Sequence, residues 1–492
     1  MSRGGFHTIT LGCKLNQFDS AAMEAELVRR GLPVEREPSR ATVVIINTCT
    51  VTGKADAEAR KLVRRVRREN PDCRLLVTGC YAESDPEAIQ AMDGVDLVFG
   101  NRDKAVFSKI LDELEIGQGS ETPAVGDRGC DWPLTLPRAL HFGHRSRAFL
   151  KVQEGCNLAC SYCVIPQVRG PSRSVPPQEV EALAVSLLRS GYREIVLTGV
   201  NTGDYGRDLR PRTRLAELLR RLLAACGPNR IRLNSLEPRT LTDEVIGLMA
   251  EDARLAPHVQ VPLQSGSDSI LRRMRRNYKL SDYHERLKKL RGEVPHVGLG
   301  ADVIVGFPGE ADAHFEETYR FIEGSPLNYL HVFSWSPRPG TPASKMEGRV
   351  HVSVVRERSA RLRELGARMG YRFRRGFEGE RLDAVILGTR PVDGRTRALT
   401  GNFIEVVLEE DGAHRGDLVN VRVTRVTPEE TRATLDGRPE WAIDERTEVQ
   451  RRRGTSVSGP GATMLPSGGS PSETGSRFSS LCSPSPTTVN RV

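Results

Sequence analysis

Ala148-Phe149-Leu150-Lys151-Val152-Gln153-Glu154-Gly155-Cys156-Asn157-Leu158-Ala159-Cys160-Ser161-Tyr162-Cys163 is the stretch that decides the fold. Residues 148–153 read as a strand that leads straight into three cysteines spaced CxxxCxxC. In a βα barrel the reactive groups sit on loops at the carboxyl ends of the strands. Cys156, Cys160 and Cys163 therefore stand where such a fold places its chemistry. Three thiolates this close together can wrap one metal centre. A structural zinc site needs a fourth ligand, for which only His141 or His144 stands nearby, at an unusual spacing. Three cysteines without a fourth suit a 4Fe–4S cluster with one iron left open. An open iron can chelate a small molecule through its amino and carboxylate groups. Tyr162, inside the motif, is expected to pack against the cluster or its ligand.

The pattern extends in both directions. Candidate strands at 194–199, 230–235, 258–263, 299–305 and 328–335 alternate with helical patterns at 178–190, 214–225, 242–251, 267–276, 281–292 and 311–323. These βα units predict a full or partial α/β barrel over 146–371. Upstream, 6–11, 42–47, 74–78 and 95–99 read as strands. Helices are expected at 19–30, with Asp19 or Ser20 as cap, and at 53–69. That is an open parallel α/β sheet over 1–116. Residues 117–145, rich in Gly, Pro and His, read as a linker. After a charged helix at 346–369, residues 372–430 switch to short β runs with glycine turns, which predicts a small all-β barrel. Residues 431–492 form a C-terminal extension. From 454 onward, 26 of 39 residues are Ser, Gly, Pro or Thr. Such a segment cannot bury enough apolar surface to fold and is expected to be disordered.

The chain has ten cysteines in 492 residues. No apolar run is long enough for a membrane span, and the first residues lack a signal-peptide pattern, so a cytoplasmic location is expected. In that compartment clustered cysteines point to metal or catalysis rather than disulfides. A second set is dispersed: Cys13, Cys49 and Cys80 each follow a predicted strand of the first domain. The loops after parallel strands converge on one sheet edge, so three distant cysteines can meet there. Gly12 and Gly79 would let the backbone approach a bulky cluster. The plainer alternative is three unrelated core thiols. Cys73 and Cys226 read as structural, and Cys130 and Cys482 fall in presumed flexible segments.

At these residues the chain resembles the methylthiotransferase family of radical S-adenosylmethionine (SAM) enzymes. The likeness covers about 6–430: a domain with three dispersed cysteines, a CxxxCxxC barrel and a C-terminal TRAM domain. It rests on Gly12-Cys13-Lys14-Leu15-Asn16-Gln17, Asn47-Thr48-Cys49-Thr50-Val51-Thr52, residues 149–174, Leu197-Thr198-Gly199-Val200-Asn201, Pro262-Leu263-Gln264-Ser265-Gly266-Ser267-Asp268 and Val305-Gly306-Phe307-Pro308-Gly309-Glu310. Lys14 is most similar to the subgroup acting on threonylcarbamoyladenosine in tRNA. The resemblance implies two 4Fe–4S clusters, one on Cys156, Cys160 and Cys163 that cleaves SAM, and an auxiliary one on Cys13, Cys49 and Cys80. It implies two SAM molecules per product, a tRNA substrate modified at carbon 2 of the adenosine 3′ of the anticodon, a flavodoxin- or ferredoxin-like electron donor and a sulfur donor. Isopentenyladenosine in tRNA and a ribosomal-protein aspartate remain alternative substrates. A non-catalytic iron–sulfur RNA-binding protein is the alternative of a different class.

Polar groups at strand ends are candidates for SAM: Gly199, Glu237 and Gln264, with Gly306 and Gly309 at the adenine side. The plainer reading of each is a turn or cap residue. The net charge of +9 allows a polyanionic partner. Candidate RNA contacts are Arg60, Lys61, Arg64, Arg65, Arg67 and Arg68 on one helix, Arg272, Arg273, Arg275 and Arg276, and Arg372, Arg374 and Arg375 leading into the β-domain. That domain is expected to supply tRNA affinity and to be separable from SAM cleavage. A cation is also expected beside the substrate carboxylate, from Lys14, Arg169 or Arg173.

Overall fold

A computed structural model describes residues 5–116, 136, 142–143, 145–390, 393–410 and 412–442. Most of the expected linker, the tail from 454, Cys130, Cys482, His141 and His144 lie outside the described residues. The first domain is a four-stranded parallel sheet in sequence order. It runs β1 (Phe6–Thr10), α1 (Lys14–Arg29), β2 (Val43–Thr48), α2 (Gly53–Glu69), β3 (Arg74–Gly79), α3 (Cys80–Ser84), α4 (Pro86–Gln90), β4 (Leu97–Val98) and α5 (Phe107–Ile116). Alternate strand residues point to opposite faces. Val44, Ile46, Leu75 and Val77 pack against Leu62, Val63 and Val66 of α2. Ile45, Leu76 and Leu97 pack against Met23 and Leu27 of α1 and Phe107 of α5.

The helix expected at 19–30 begins instead at Lys14, directly after Cys13. Asp19 and Ser20 are not caps. Both are buried in the middle of α1, where Asp19 answers Lys104 at 3.1 Å and Lys151 at 2.8 Å. A carboxylate with buried cationic partners gains more inside a helix than at its end.

All six barrel strands form. They are β5 (Ala148–Lys151), β8 (Glu194–Thr198), β9 (Arg230–Arg232), β10 (His258–Gln260), β11 (Gly298–Val305) and β12 (Tyr329–Ser334), with β6 (Gln153–Glu154) and β7 (Arg173–Ser174) as an antiparallel pair beside the cysteine loop. The sheets β5-β8-β9 and β10-β11-β12 are parallel and meet through isolated bridges, Ile231 to Leu255 and Ser235 to Gln260. The barrel is therefore partial. Helices α6 (Ile165–Arg169), α7 (Pro177–Arg189), α8 (Leu215–Ala225), α9 (Asp243–Glu251), α10 (Asp268–Arg273), α11 (Leu280–Glu293) and α12 (Asp312–Glu323) connect the strands. Among the described residues no helix is long and apolar enough to cross a membrane.

A continuous helix, α13 (Val352–Arg375), leads into β13 (Arg381–Thr389), β14 (Thr396–Thr400), β15 (Glu405–Leu408), β16 (Leu418–Val426) and β17 (Thr431–Leu435). These close into a barrel ordered β13-β14-β15-β17-β16. Arg374 donates to Thr431 Oγ1 and the Pro428 carbonyl, which places it in the joint between helix and barrel.

The small barrel is not peripheral. Its β14–β15 turn sits at the amino ends of the large barrel's strands, where the Phe403 ring stacks 4.1 Å from His258 and 5.8 Å from Tyr329. Arg232 donates to the carbonyls of Gly401 at 2.8 Å and Thr400 at 3.0 Å. Arg230 pairs with Asp383. Removing residues 372–492 would uncover these arginines and rings, so separability of the β-domain from the SAM chemistry does not follow.

Beneath this joint lies Glu194, fully buried, with Arg147, Arg230 and Arg232 around it. Burial alone would raise its pKa; Arg232 and Arg147 override that and hold it at about 2. Breaking such a group by removing one partner typically costs about 3–5 kcal/mol. Glu194→Gln is expected to lose stability on that scale in denaturant unfolding. Because the folded pKa lies below the ordinary value of 4.5, the carboxylate's contribution is complete above that pH and is lost as pH falls toward about 2. The difference between wild type and variant should shrink over the same window.

Candidate active site between two cysteine triads

Cys49 directly follows β2, Cys80 opens α3 directly after β3, and Cys13 caps α1 shortly after β1. The parallel register brings these three strand ends to one edge. Burial pushes the Cys49 thiol up to about 12, and the charges of Cys80 and Cys13 add to the shift. The two glycines are required by close approach of neighbouring chain. A Cβ on Gly12, at φ +91°, would lie 2.6 Å from Cys49 Cβ, and one on Gly79, at φ +100°, would lie 2.3 Å from the Thr48 carbonyl oxygen.

The second triad is pinned from outside. Ser161 donates its N–H to the Met274 carbonyl at 3.0 Å, its hydroxyl to the Arg273 carbonyl at 2.8 Å, and accepts from Ala343 N–H at 2.8 Å. Tyr162 packs on Ile270, Met274, Phe307 and Ala343, an apolar wall behind the loop. Burial holds Cys156 at about 11 and Cys163 at about 12, and each also feels Cys160. Among the described residues no three His, Cys, Asp or Glu groups converge on the position of a single metal ion. In kind, three thiols apiece are the soft donors that iron–sulfur clusters take.

What joins the triads is a buried charge network that sequence reading missed. Arg169 ends α6, shortly after Cys163, and is almost wholly buried. It pairs with Glu154, just before Cys156, and donates to Asn16 Oδ1 in the first turn of α1. Asp19 lies 3.5 Å from Arg169 and 2.8 Å from Lys151, and Lys151 also pairs with Glu154 at 3.2 Å. Lys104 donates to Asp19, Asn47 Oδ1 and Asn101 Oδ1. Asn101 in turn faces Cys80 Sγ at 3.6 Å and donates to the Val168 carbonyl at 2.9 Å. Burial opposes ionisation of Asp19, yet the three cations keep its pKa well below the usual carboxylate range. The visible signal was Lys151 and Glu154 beside the apolar run Ala148-Phe149-Leu150 and Val152, since fully buried charges occur almost only in pairs. Arg169 is thus committed to this network and is not available to a substrate.

A cavity of about 430 Å³ opens beside the second triad. It is lined by Asn157 and Leu158 of the cysteine loop, by Asn201, Asp204, Arg207 and Asp208 after β8, and by Glu237, Arg239 and Thr240 after β9. These are carboxyl ends of strands, as expected. Burial raises the carboxyls of Glu237 and Asp204 above the usual range. Glu237 pairs with Arg276, and Arg276 donates to Cys160 Sγ at 3.3 Å. Carboxylates beside guanidinium groups suit a ligand that carries a cation and a carboxylate together, as SAM does. Arg276 is buried against the cysteine loop and is not an RNA contact.

The other SAM candidates sit differently. Gly199 is explained by packing, because a Cβ there would lie 2.9 Å from Gln153 Oε1. Gln264 holds a left-handed backbone at φ +66°, a strained conformation for a residue with a side chain. Its N–H and carbonyl bond to Asp302 and Ile304 of β11. Gly306 and Gly309 lie against Val355 and the Arg273 guanidinium, away from the cavity lining.

Lys14 leaves its own domain. Its Nζ donates to Asn234 Oδ1, beyond β9, at 2.6 Å. Burial, with Arg147 and Arg232, lowers its pKa to about 8. Nearby Gln260, Asp302 and His331, one from each of three neighbouring strands, share hydrogen bonds. Arg173 lies in β7, paired with Glu154 along the strand. On α2, Lys61, Arg64, Arg65 and Arg68 are exposed. Arg60 and Arg67 are instead held by Tyr81 and Asp96.

Comparison with known proteins agrees with this layout. Residues 150–322 match the radical SAM superfamily, and residues 5–100 match the uncharacterized protein family UPF0004. The chain is 37% identical over 434 residues to the threonylcarbamoyladenosine tRNA methylthiotransferase MtaB of Bacillus subtilis, covering 86% of this chain and 94% of that one. It is 35% identical over 400 residues to the protein of that name from Aquifex aeolicus, covering 81% and 95%. A tRNA-2-methylthio-N(6)-dimethylallyladenosine synthase of Clostridium botulinum is 32% identical, covering 86% and 95%. Among solved structures, the radical SAM methyltransferase TsrM of Kitasatospora setae shares the fold at TM-score 0.51 and 16% identity, covering 70% of this chain and 74% of that one. The chain belongs to the radical SAM methylthiotransferases.

Proposed function

We propose that this enzyme inserts a methylthio group at carbon 2 of N6-threonylcarbamoyladenosine, 3′ of the anticodon in tRNA. The observation that carries the reading is the meeting of two cysteine triads across one interface, in a chain that matches methylthiotransferases over nearly their whole length. Cys156, Cys160 and Cys163 hold the SAM-cleaving 4Fe–4S cluster, and Cys13, Cys49 and Cys80 hold the auxiliary one. When bound, these clusters and SAM supply the radical, sulfur and methyl chemistry. The chain supplies position. Glu237 and Asp204 face the cationic part of SAM, and Arg239 or Arg207 its carboxylate. Arg276 holds the Cys160 thiolate in place. Phe403, between His258 and Tyr329, closes the amino end of the barrel and keeps water from the radical site. The exposed cations of α2 contact tRNA phosphates, together with the β-domain. A flavodoxin- or ferredoxin-like protein supplies electrons, a separate donor renews the sulfur, and the enzyme works in the cytoplasm.

Anaerobic reconstitution should give about eight irons per chain. Replacing Cys156, Cys160 and Cys163 together by Ala should halve that number and abolish 5′-deoxyadenosine formation. Single Ala variants at Cys13, Cys49 or Cys80 should keep SAM cleavage and lose methylthiolation; normal product from any of the three would remove that cysteine from the set. Offered tRNAs carrying each modification separately, the enzyme should methylthiolate threonylcarbamoyladenosine preferentially. Preference for the isopentenyl tRNA would move the chain to the other branch of the family.

Changing Lys61, Arg64, Arg65 and Arg68 to Gln should weaken tRNA binding without sequence preference. The slope of log affinity against log salt should fall by about 0.9 for each phosphate contact removed. An unchanged slope would take α2 out of the RNA surface.

A further inference from the structure

We infer that Lys14 reads the carboxylate of the threonylcarbamoyl group and thereby sets which N6-modified adenosine the enzyme accepts. The inference rests on the proposed function and deepens it. Lys14 belongs to the first domain by sequence and to the barrel by contact. As the first residue of α1 it follows Cys13 directly, yet its amine is held by Asn234, beyond the carboxyl end of β9. The ammonium therefore bridges the Cys13 loop of the first domain and the chain just beyond β9 of the barrel.

The bonding of the amine is incomplete. An ammonium has three donors. Among the described residues Nζ makes one hydrogen bond, to a neutral amide, with no carboxylate in ion-pair range and no bond to the Cys13 thiol. Asp302, the acid in this space, is engaged by Gln260 and His331. Arg169, by contrast, already answers Glu154, Asn16 and Asp19. A mostly enclosed cation with one neutral partner is costly to keep. An arriving carboxylate would supply the missing charge and two acceptors.

The threonylcarbamoyl group ends in such a carboxylate, and the isopentenyl group is wholly apolar. With isopentenyl bound, the ammonium would be sealed against carbon without a partner. A site built around a charged substrate group rejects the analogue that lacks it more strongly than an apolar pocket rejects an extra polar atom. Lys14 thus favours one substrate and disfavours the other through the same atom.

The test uses the full chain with both clusters and anticodon stem-loop RNAs bearing threonylcarbamoyladenosine, its methyl ester or isopentenyladenosine. Binding is read by fluorescence anisotropy. Wild type should prefer the acid over the ester by about tenfold or more, equivalent to about 1.4 kcal/mol. Lys14→Gln should bind acid and ester alike, and Lys14→Arg should recover part of the preference. Iron content and melting temperature report whether each variant is intact. Equal binding of acid and ester by wild type would overturn the inference without any variant, and so would a preference that survives in Lys14→Gln. Failure of the function reading looks different: threonylcarbamoyl tRNA would then remain unmethylthiolated at any affinity.

Discussion

The arrangement of the site depends on one buried set of charges, Asp19, Lys104, Lys151, Glu154 and Arg169. Each sits next to a cysteine-bearing loop in sequence or in space. Glu154 precedes Cys156, Arg169 ends the helix after Cys163, and Asp19 lies in the helix that Cys13 caps. Lys104 reaches Asn47, ahead of Cys49, and Asn101, beside Cys80. Taking such groups out of water is expensive, and only mutual pairing repays it. Pairing of this kind favours the orientation in which Asp19 and Asn16 of the first domain meet Lys151 and Arg169 of the barrel. An apolar interface of equal area would bind as well but would fix orientation less tightly.

A similar device works at the other end of the barrel. Glu194 gathers Arg147, Arg230 and Arg232, and two of those arginines reach across to the small barrel. Phe403 fills the gap between His258 and Tyr329. The partial barrel is thus closed at its amino ends by the β-domain and gripped near its carboxyl ends by the first domain. The structure leaves a cavity beside the cysteine loop and, apart from it, a mostly enclosed Lys14 with one hydrogen bond among the described residues. Those are the places where a small cofactor and a flipped-out base would be brought together.

Much of this was legible in the sequence because it was local. The βα alternation, the CxxxCxxC loop after a strand, and Cys13, Cys49 and Cys80 after three strands all follow from short patterns. Glu237 was legible for the same reason, as a polar residue just past a strand. What was not legible depended on partners far away along the chain. Asp19 looks like a helix cap until Lys104 and Lys151 are seen around it. Arg276 looks like one cation in an exposed basic run, although a left-handed turn at Arg275 carries it back to Cys160. Arg169 looks like a candidate for the substrate carboxylate, and only the fold shows it already spent on Glu154 and Asn16. Nothing local marks Phe403 as the residue that joins two barrels.

The most direct measurement is the ratio of 5′-deoxyadenosine to methylthiolated nucleoside in Arg169→Lys enzyme carrying both clusters. Lysine keeps the buried charge but cannot span Glu154 and Asn16 at once. If the network aligns the triads, SAM cleavage should continue while sulfur insertion fails, since a displacement of about 1 Å can cost roughly 100-fold in rate. The ratio should rise steeply with iron content unchanged. A ratio equal to that of wild type would contradict the claim that this network is what brings the two halves of the site together.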